Sequence, residues 1–360
     1  MVMRLRIATT RRLLHIGVLA LPILALGCKP DLEGRPSLID SARVLSIRST
    51  AAEVNEGTNV TYDVLIAQPV GDTSVPNIDW ALCLAQKPIA TSGPIAAECL
   101  TASGPKLANL GNSLSVTATI PKDACQLFGP ITPPHKTGEP ELRAADPDTT
   151  GGYYQPVRLR TAYSADDVEY EVGVTRLMCG MGSGASQAQT LTYNKGYRPN
   201  ENPSFEQVKF TRNSGEVIVV DSTTTQSVSS GEVLSFEVSW PSCPLTSTCG
   251  DGICGAGEDV TSCPNDCTTP KGCEGSEPYL TYDPASQTLQ DRRESMRVAW
   301  YATDGSFVHD RTGRTEAESD QSSTANAWTA PSRSALVRLW LVIRDDRRGE
   351  NYTTFDLNVE

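Results

Sequence analysis

Apolar side chains recur at every second position through much of this chain. Val60, Tyr62, Val64 and Ile66 alternate with Thr61, Asp63 and Leu65. Ile78, Trp80, Leu82 and Leu84 form a second such series, and Leu234, Phe236, Val238 and Trp240 alternate with Ser235, Glu237 and Ser239. Successive side chains of a strand point to opposite faces, so each series offers one face to a core. Beyond the N-terminal segment, no long stretch has the 3.6-residue period of an amphipathic helix. The pattern predicts an all-β chain of antiparallel β-sandwiches.

The same order of segments occurs twice. Glu56 to Val64 reads like Ser230 to Val238, a turn glycine followed by an alternating strand. A Trp-bearing strand follows in each half, around Trp80 and Trp300. Each half then closes with two long strands about a charged turn, Asp166-Asp167 in the first and Asp345-Asp346-Arg347-Arg348-Gly349 in the second. Such internal repetition predicts two related sandwiches, at 38–190 and 200–360, joined by a hinge at Arg198-Pro199-Asn200-Glu201-Asn202-Pro203. A Pro-rich and acidic stretch, Phe128 to Gly152, is too long for a simple turn and is expected to be an insertion or a partner-binding loop.

The layout resembles the immunoglobulin-like and PKD-like sandwiches repeated in bacterial surface proteins, most clearly in the last hairpin. Immunoglobulin domains bridge their sheets with cysteines on either side of a core Trp. Here Cys83 follows Trp80 by three residues, which directs the two side chains to opposite faces. Cys83 with Cys99 and Cys125 with Cys179 is one of three possible connectivities for these four cysteines.

After Trp240 the second half is interrupted by six cysteines within 243–273: Cys243, Cys249, Cys254, Cys263, Cys267 and Cys273. Too few apolar side chains lie between them to form a core, so three cross-links must hold the shape, with fifteen possible connectivities. The segment resembles the short CGDGxC…GE…CPxDC module of secreted bacterial proteins. Asp251, Glu258, Asp259, Asn265 and Asp266 are hard oxygen donors that could converge on calcium, although the spacing of an EF-hand loop is missing. The other reading gives these side chains to Asx turns in a cross-linked loop. Zinc on the thiols is a third reading.

Residues 1–27 have the parts of a secretory signal: Arg4, Arg6, Arg11 and Arg12, then an apolar run from Leu13 to Leu26. Fourteen residues are few for a membrane-spanning helix. Leu24-Ala25-Leu26-Gly27 followed by Cys28 resembles the lipobox of bacterial lipoproteins. The resemblance implies a diacylglyceryl group on the Cys28 sulfur, a further acyl chain on the new N-terminus and a polar tether over 28–37. Three chains exceed what stable anchoring requires. Lys29 stands where an Asp would favour the inner membrane, so the outer membrane or cell surface is expected. Of eleven cysteines, removing Cys28 leaves ten, an even number that fits five disulfides in an oxidising compartment.

Loss of the signal removes four arginines and no acid, leaving 27 of the 31 basic residues against 43 acidic ones. Nucleic acid is a poor partner for such a chain, because binding it needs Lys and Arg to neutralise phosphates. Motifs for catalysis are also missing. His309-Asp310 would face opposite ways on a strand, His135 lies in the Pro-rich stretch, and no HExxH, P-loop or dinucleotide glycine pattern occurs. Trp328 could be exposed for a ligand or plug a sandwich end, and Tyr153-Tyr154, near Asp146 and Asp148, is a further candidate contact. The expectation is a non-enzymatic envelope lipoprotein that meets the membrane through Cys28 and acts as a surface interaction module for an envelope protein or glycan, or as a structural module, with no cofactor unless calcium. A surface hydrolase using paired carboxylates, or a calcium-stabilised adhesion module, is the alternative.

Overall fold

In the computed structural model the alternating segments are strands whose apolar faces meet. It describes residues 35–360 apart from 89–91, 132–136, 139–146, 183, 244–248, 251–253, 255–257 and 269–271. Most of the Pro-rich stretch, with His135 and Asp146, lies outside the described residues.

The first half contains β1 (Arg43–Ser49), β2 (Glu53–Val54), β3 (Asn59–Ala67), β4 (Asn77–Cys83), β5 (Leu107–Gly111), β6 (Ser115–Thr119), β7 (Tyr153–Ala162) and β8 (Val168–Leu177). One sheet has the order β1-β3-β6 and the other β2-β8-β7-β4-β5, with β2 parallel to β8. The second half contains β9 (Gln207–Thr211), β10 (Val217–Val219), β11 (Gln226–Val228) and β12 (Val233–Ser239). After a hairpin of β13 (Pro278–Asp283) and β14 (Thr288–Arg293) come β15 (Met296–Ala302), β16 (Ser306–Phe307), β17 (Arg311–Arg314), β18 (Ser323–Thr329), β19 (Ala335–Asp345) and β20 (Glu350–Val359). Its sheets run β10-β9-β12-β18-β16 and β11-β20-β19-β15-β17, with β11 parallel to β20.

Strand by strand the second order repeats the first. Strands β9, β12 and β18 take the places of β1, β3 and β6, while β11, β20, β19, β15 and β17 take those of β2, β8, β7, β4 and β5. The fold is two immunoglobulin-like sandwiches, the second carrying a small disulfide-rich insert. Even the turn into β3 is repeated before β12. Gly57 has a φ of 76° and Gly231 a φ of 72°. That conformation is open to glycine and strained for other residues.

Each sandwich has its own core built around the Trp of the repeated strand. Trp80 packs with Tyr62, Leu82, Val157 and Leu159, and Trp300 with Phe236, Trp328, Leu339 and Phe355. The Trp80 indole donates to the Ser113 carbonyl at 2.9 Å, and that of Trp300 to Thr312 Oγ1 at 2.9 Å. Cys83 lies on the other face of β4, in a separate cluster with Cys99, Ile95 and Ala96. Trp328 is fully buried, so it plugs the second core rather than facing a ligand.

The ten cysteines form Cys83–Cys99, Cys125–Cys179, Cys243–Cys273, Cys249–Cys263 and Cys254–Cys267. Cys125 belongs to α1 (Ala124–Phe128). In the insert, Cys243–Cys273 closes the base and the other two bridges cross inside it. A second short helix of the chain, α3 (Pro264–Cys267), lies where both converge, and there Cys254, Cys263 and Cys267 make a small core of their own.

Two elements between the strands have no counterpart in the alternating pattern. The β13–β14 hairpin stands beside the insert, and α2 (Gln187–Gly196) follows the first sandwich. A capping box starts α2. Ser186 Oγ accepts from the Gln189 N–H, and Gln189 Oε1 accepts from the Ser186 N–H at 2.8 Å.

Arg35–Glu360 forms one compact unit. A third cluster joins the halves, with Ile39, Leu45 and Ala67 against Ala299, Trp340 and Val342 of the second sandwich. The N-terminal segment contributes directly, because the Ile39 N–H donates to the Ala302 carbonyl and the Ala302 N–H to that of Ser37. The stretch expected as a hinge is a buried seam. Asn200 is 2% exposed, its N–H donates to Glu53 Oε2 at 2.8 Å, and Asn202 Nδ2 donates to the Ser49 carbonyl at 2.7 Å. Asparagine satisfies donors and acceptors on both sides at once, and this crosslinks the segment instead of freeing it.

Candidate functional site

Behind the seam lies a buried group of charges that fixes one sandwich against the other. Arg347, in the turn between β19 and β20, is 1% exposed. Its Nε donates to Glu294 Oε1 at 2.6 Å, one terminal nitrogen to Glu277 Oε2 at 2.6 Å, and the other to the Arg198 carbonyl at 3.0 Å. The Tyr279 ring covers the guanidinium at 4.7 Å. On the first-sandwich side, Arg176 pairs with Glu53 at 3.3 Å and donates to Thr150 Oγ1 at 2.7 Å and Tyr154 Oη at 3.1 Å. Glu53 also accepts from the Tyr197 hydroxyl. Asp345 accepts from the Gly349 N–H at 2.8 Å and from Asn200 Nδ2 at 3.3 Å.

Three buried arginines, 176, 198 and 347, thus share the joint with four buried carboxyls, 53, 277, 294 and 345. A charge removed from water needs a partner, and one arginine cannot neutralise two glutamates. Burial pushes the Glu277 carboxyl up to about 8 against the pull of Arg347. Burial likewise raises Glu294 and Asp345. Glu277 therefore holds its proton at neutral pH. Glu277 and Glu294 are sealed inside the protein, and Asp345, 8% exposed, borders the space between the sandwiches, an arrangement suited to holding a scaffold.

In front of the joint, a cleft of about 620 Å³ opens between the sandwiches. Val44 to Ile47 of β1 and Glu171 to Val174 of β8 wall it on one side. The outer face of the second sandwich walls it on the other, with Arg297, Ala299 and Tyr301 of β15, Arg311 of β17 and Arg344 of β19. Strand register creates the basic wall. Arg297 stands opposite Arg344, and Arg311 stands opposite Ala299, two places along the same face. Like charges directly opposed across strands repel. Arg344 is relieved by Glu350 at 2.7 Å and by the Leu45 carbonyl at 2.7 Å. Among the described residues, no carboxylate lies within ion-pair reach of Arg297, Arg311 or Arg348, and all three side chains are exposed.

The acids of the cleft are committed elsewhere. Glu350 serves Arg344, Asp346 accepts from Ser295 Oγ at 3.1 Å, and Asp345 belongs to the joint. On the facing wall Glu171 accepts from Thr161 at 3.2 Å, and burial, with the Glu169 charge behind it, pushes its carboxyl up to about 7.

Two of the described acids of the insert, Asp259 and Asp266, accept from nearby backbone N–H groups. Asp259 Oδ1 accepts from the Thr261 N–H at 2.7 Å and from the Ser262 N–H at 2.8 Å. That pattern is an Asx turn. Asp266 accepts from the Gly250 N–H at 2.5 Å. Glu258 is buried beside Cys249 and Cys263, whose ligand atoms lie within 4.8 Å of its own, but those two sulfurs form a disulfide. They therefore offer no thiolate to a metal. Asn265 sits on α3, and Asp251 lies outside the described residues. Tyr153 is buried in the first core and Tyr154 serves the joint, where Asp148 caps the preceding turn by accepting from the Thr150 and Gly152 N–H groups. His309 and Asp310 are exposed.

Sequence alone singles out none of the cleft arginines, nor Arg347. In the chain, Arg297 and Arg311 are ordinary polar positions of alternating strands, and 347–348 read as a charged turn. Only the register of β15, β17 and β19 puts Arg297, Arg311 and Arg344 on one face.

No family model matches this sequence, and no curated protein matches it. Among solved structures, the chain is similar to a DUF4785 family protein of Legionella pneumophila at 9% identity and a TM-score of 0.18, covering 87% of this chain and 56% of that one. The native conformation of Escherichia coli alpha-2-macroglobulin matches at 8% identity and a TM-score of 0.21, over 89% of this chain and 17% of that one. The C-terminal domain of the Streptococcus agalactiae AgI/II polypeptide BspA matches at 7% identity and a TM-score of 0.21, over 88% of this chain and 99% of that one. The chain thus spans less than two thirds of the first two proteins. These scores are too low to carry function across, so the site is read from its own geometry.

Proposed function

We propose that this chain is a non-enzymatic binding module of the cell envelope, anchored by lipid on Cys28 and presenting the inter-sandwich cleft to an envelope glycan or protein. The observation that carries the reading is the buried joint. It fixes both walls of the cleft, and a preformed site spends little of its interaction energy on ordering itself. The lipobox-like run before Cys28 supplies the anchor. Ten cysteines joined in five bridges fit an oxidising compartment. Ser37, docked on Ala302, follows Cys28 by nine residues. At roughly 3.5 Å per extended residue, an acylated Cys28 would hold Ser37 within about 32 Å of the membrane surface.

Expressed in a bacterial host, the full chain should sediment with membranes and carry the mass of the acyl groups. Cys28→Ser should be recovered in the soluble fraction with all five disulfides formed. A Cys28→Ser chain that stays in the membrane with unchanged mass would refute the anchor.

A further inference from the structure

We propose that the inter-sandwich cleft is an oxyanion site, taking a small ligand that carries two or more carboxylate, phosphate or sulfate groups. The proposal deepens the binding reading by naming the ligand class, and it does not depend on the lipid. Its basis is an unbalanced set of charges. Arg297, Arg311 and Arg348 line one cleft without an acid partner among the described residues, in a chain whose acids outnumber its bases. Most other described arginines have found acids: Arg48 has Asp63, Arg158 has Asp79, Arg338 has Asp356, and Arg333 has Asp304.

The register makes the imbalance costly. Arg297 faces Arg344 across the ladder, and Glu350 answers only Arg344. A bound oxyanion would relieve the remaining repulsion, and the planar guanidinium fork fits carboxylate and phosphate in two-point contacts. The facing wall is mainly apolar, with Val44, Val172, Gly173 and Val174, and its Glu171 carboxyl is raised to about 7, so its repulsion of an anion fades below that pH. Ligand size follows from the cleft volume of about 620 Å³. That volume falls within the range of small-molecule sites and is small for a protein surface or a nucleic acid duplex. Within that class the source is either a free polycarboxylate or phosphate, or the acidic sugars at the end of a glycan.

The test is isothermal titration of the full chain bearing Cys28→Ser, at low ionic strength. The probes are inorganic pyrophosphate, tricarballylate, a trigalacturonate oligosaccharide and, as neutral comparison, maltotriose. At least one of the three anions should bind, the neutral sugar should not, and added salt should weaken binding. Arg297→Gln/Arg311→Gln should weaken it at least tenfold, with disulfides and melting temperature retained because both side chains are exposed. Arg348 has a φ of 80°. Glycine adopts that conformation without strain, so Arg348→Gly should fold and should independently weaken binding several-fold. Arg333→Gln, remote from the cleft, should leave it unchanged. Tight binding of trigalacturonate alone would assign an acidic glycan, and binding of the small anions as well a free ligand. The proposal is overturned if no anion binds the parent chain, or if the double variant binds as well as the parent. Binding of maltotriose that the double variant loses would also overturn it while leaving the binding reading intact.

Discussion

Glu277 shows how one residue of the joint makes stability depend on pH. Its carboxyl titrates near 4.5 when exposed and is pushed up to about 8 by burial. Between those values the folded chain holds a proton that the unfolded chain has lost. Such a group stabilises the fold fully below about pH 4.5, and its contribution falls as pH rises through 8. The melting temperature should therefore decline between about pH 4.5 and pH 8. Glu277→Gln, which cannot ionise, should flatten that decline, and identical slopes for the two proteins would show that the proton sits elsewhere. None of this is legible in the sequence, where Glu277 and Glu294 are two acids among 43. Their burial is set by the turn that carries Arg347, 53 positions from Glu294 and 70 from Glu277. By contrast, Trp80 and Trp300 announce themselves as core residues, because a large apolar ring on an alternating strand has one favourable direction to point.

At the scale of elements, what could be read in advance was what local chemistry dictates. Period-two alternation gives the strands, and the doubled order of glycine turn, Trp strand and closing hairpin gives the repeated topology. The six crowded cysteines give a cross-linked insert. Elements built on short or mixed patterns stayed hidden. Helix α2 has little apolar periodicity and is marked only by its Ser186-to-Gln189 box, while the β13–β14 hairpin carries a charged segment, Gln290 to Arg293, that resembles a loop. The insert's outer bridge joins cysteines at a sequence separation of 30. The chain-entropy account of disulfides makes such a bridge worth about 3–4 kcal/mol. Cys243→Ser/Cys273→Ser should lower the denaturation midpoint accordingly. It should also loosen Arg293, which donates to the Cys243 carbonyl at 2.6 Å. An unchanged midpoint in guanidinium unfolding would mean that the base of the insert is held by its packing alone.

For the whole molecule, the decisive feature is that the link between sandwiches is buried where sequence suggests a hinge. Pro, Asn and Glu are common in flexible linkers, and composition cannot tell a free asparagine from one bonded on both sides. With the joint intact, calorimetry should show one unfolding transition in which the two sandwiches melt together. Arg347→Met leaves Glu294 without its ion-pair partner and Glu277 with only Arg198 nearby, a change that costs roughly 3–5 kcal/mol in buried pairs. It should split the transition in two, and two transitions in the parent chain would show that the joint does not couple the halves.

The docking of Ser37 and Ile39 on Ala302 also sets an order in time. Ribosomes make Ile39 early and the β15–β19–β20 sheet late, and Arg344 and Asn351 meet Leu45 and Arg48 across 299 and 303 positions. Contacts that distant form slowly, since a long loop must close before any of them rewards it. The segment around Ser37 thus has no surface to settle on until β15 has been made, and β1 lacks its second-sandwich partners until β19 and β20 have followed, so the seam between the sandwiches closes after both of its sides exist.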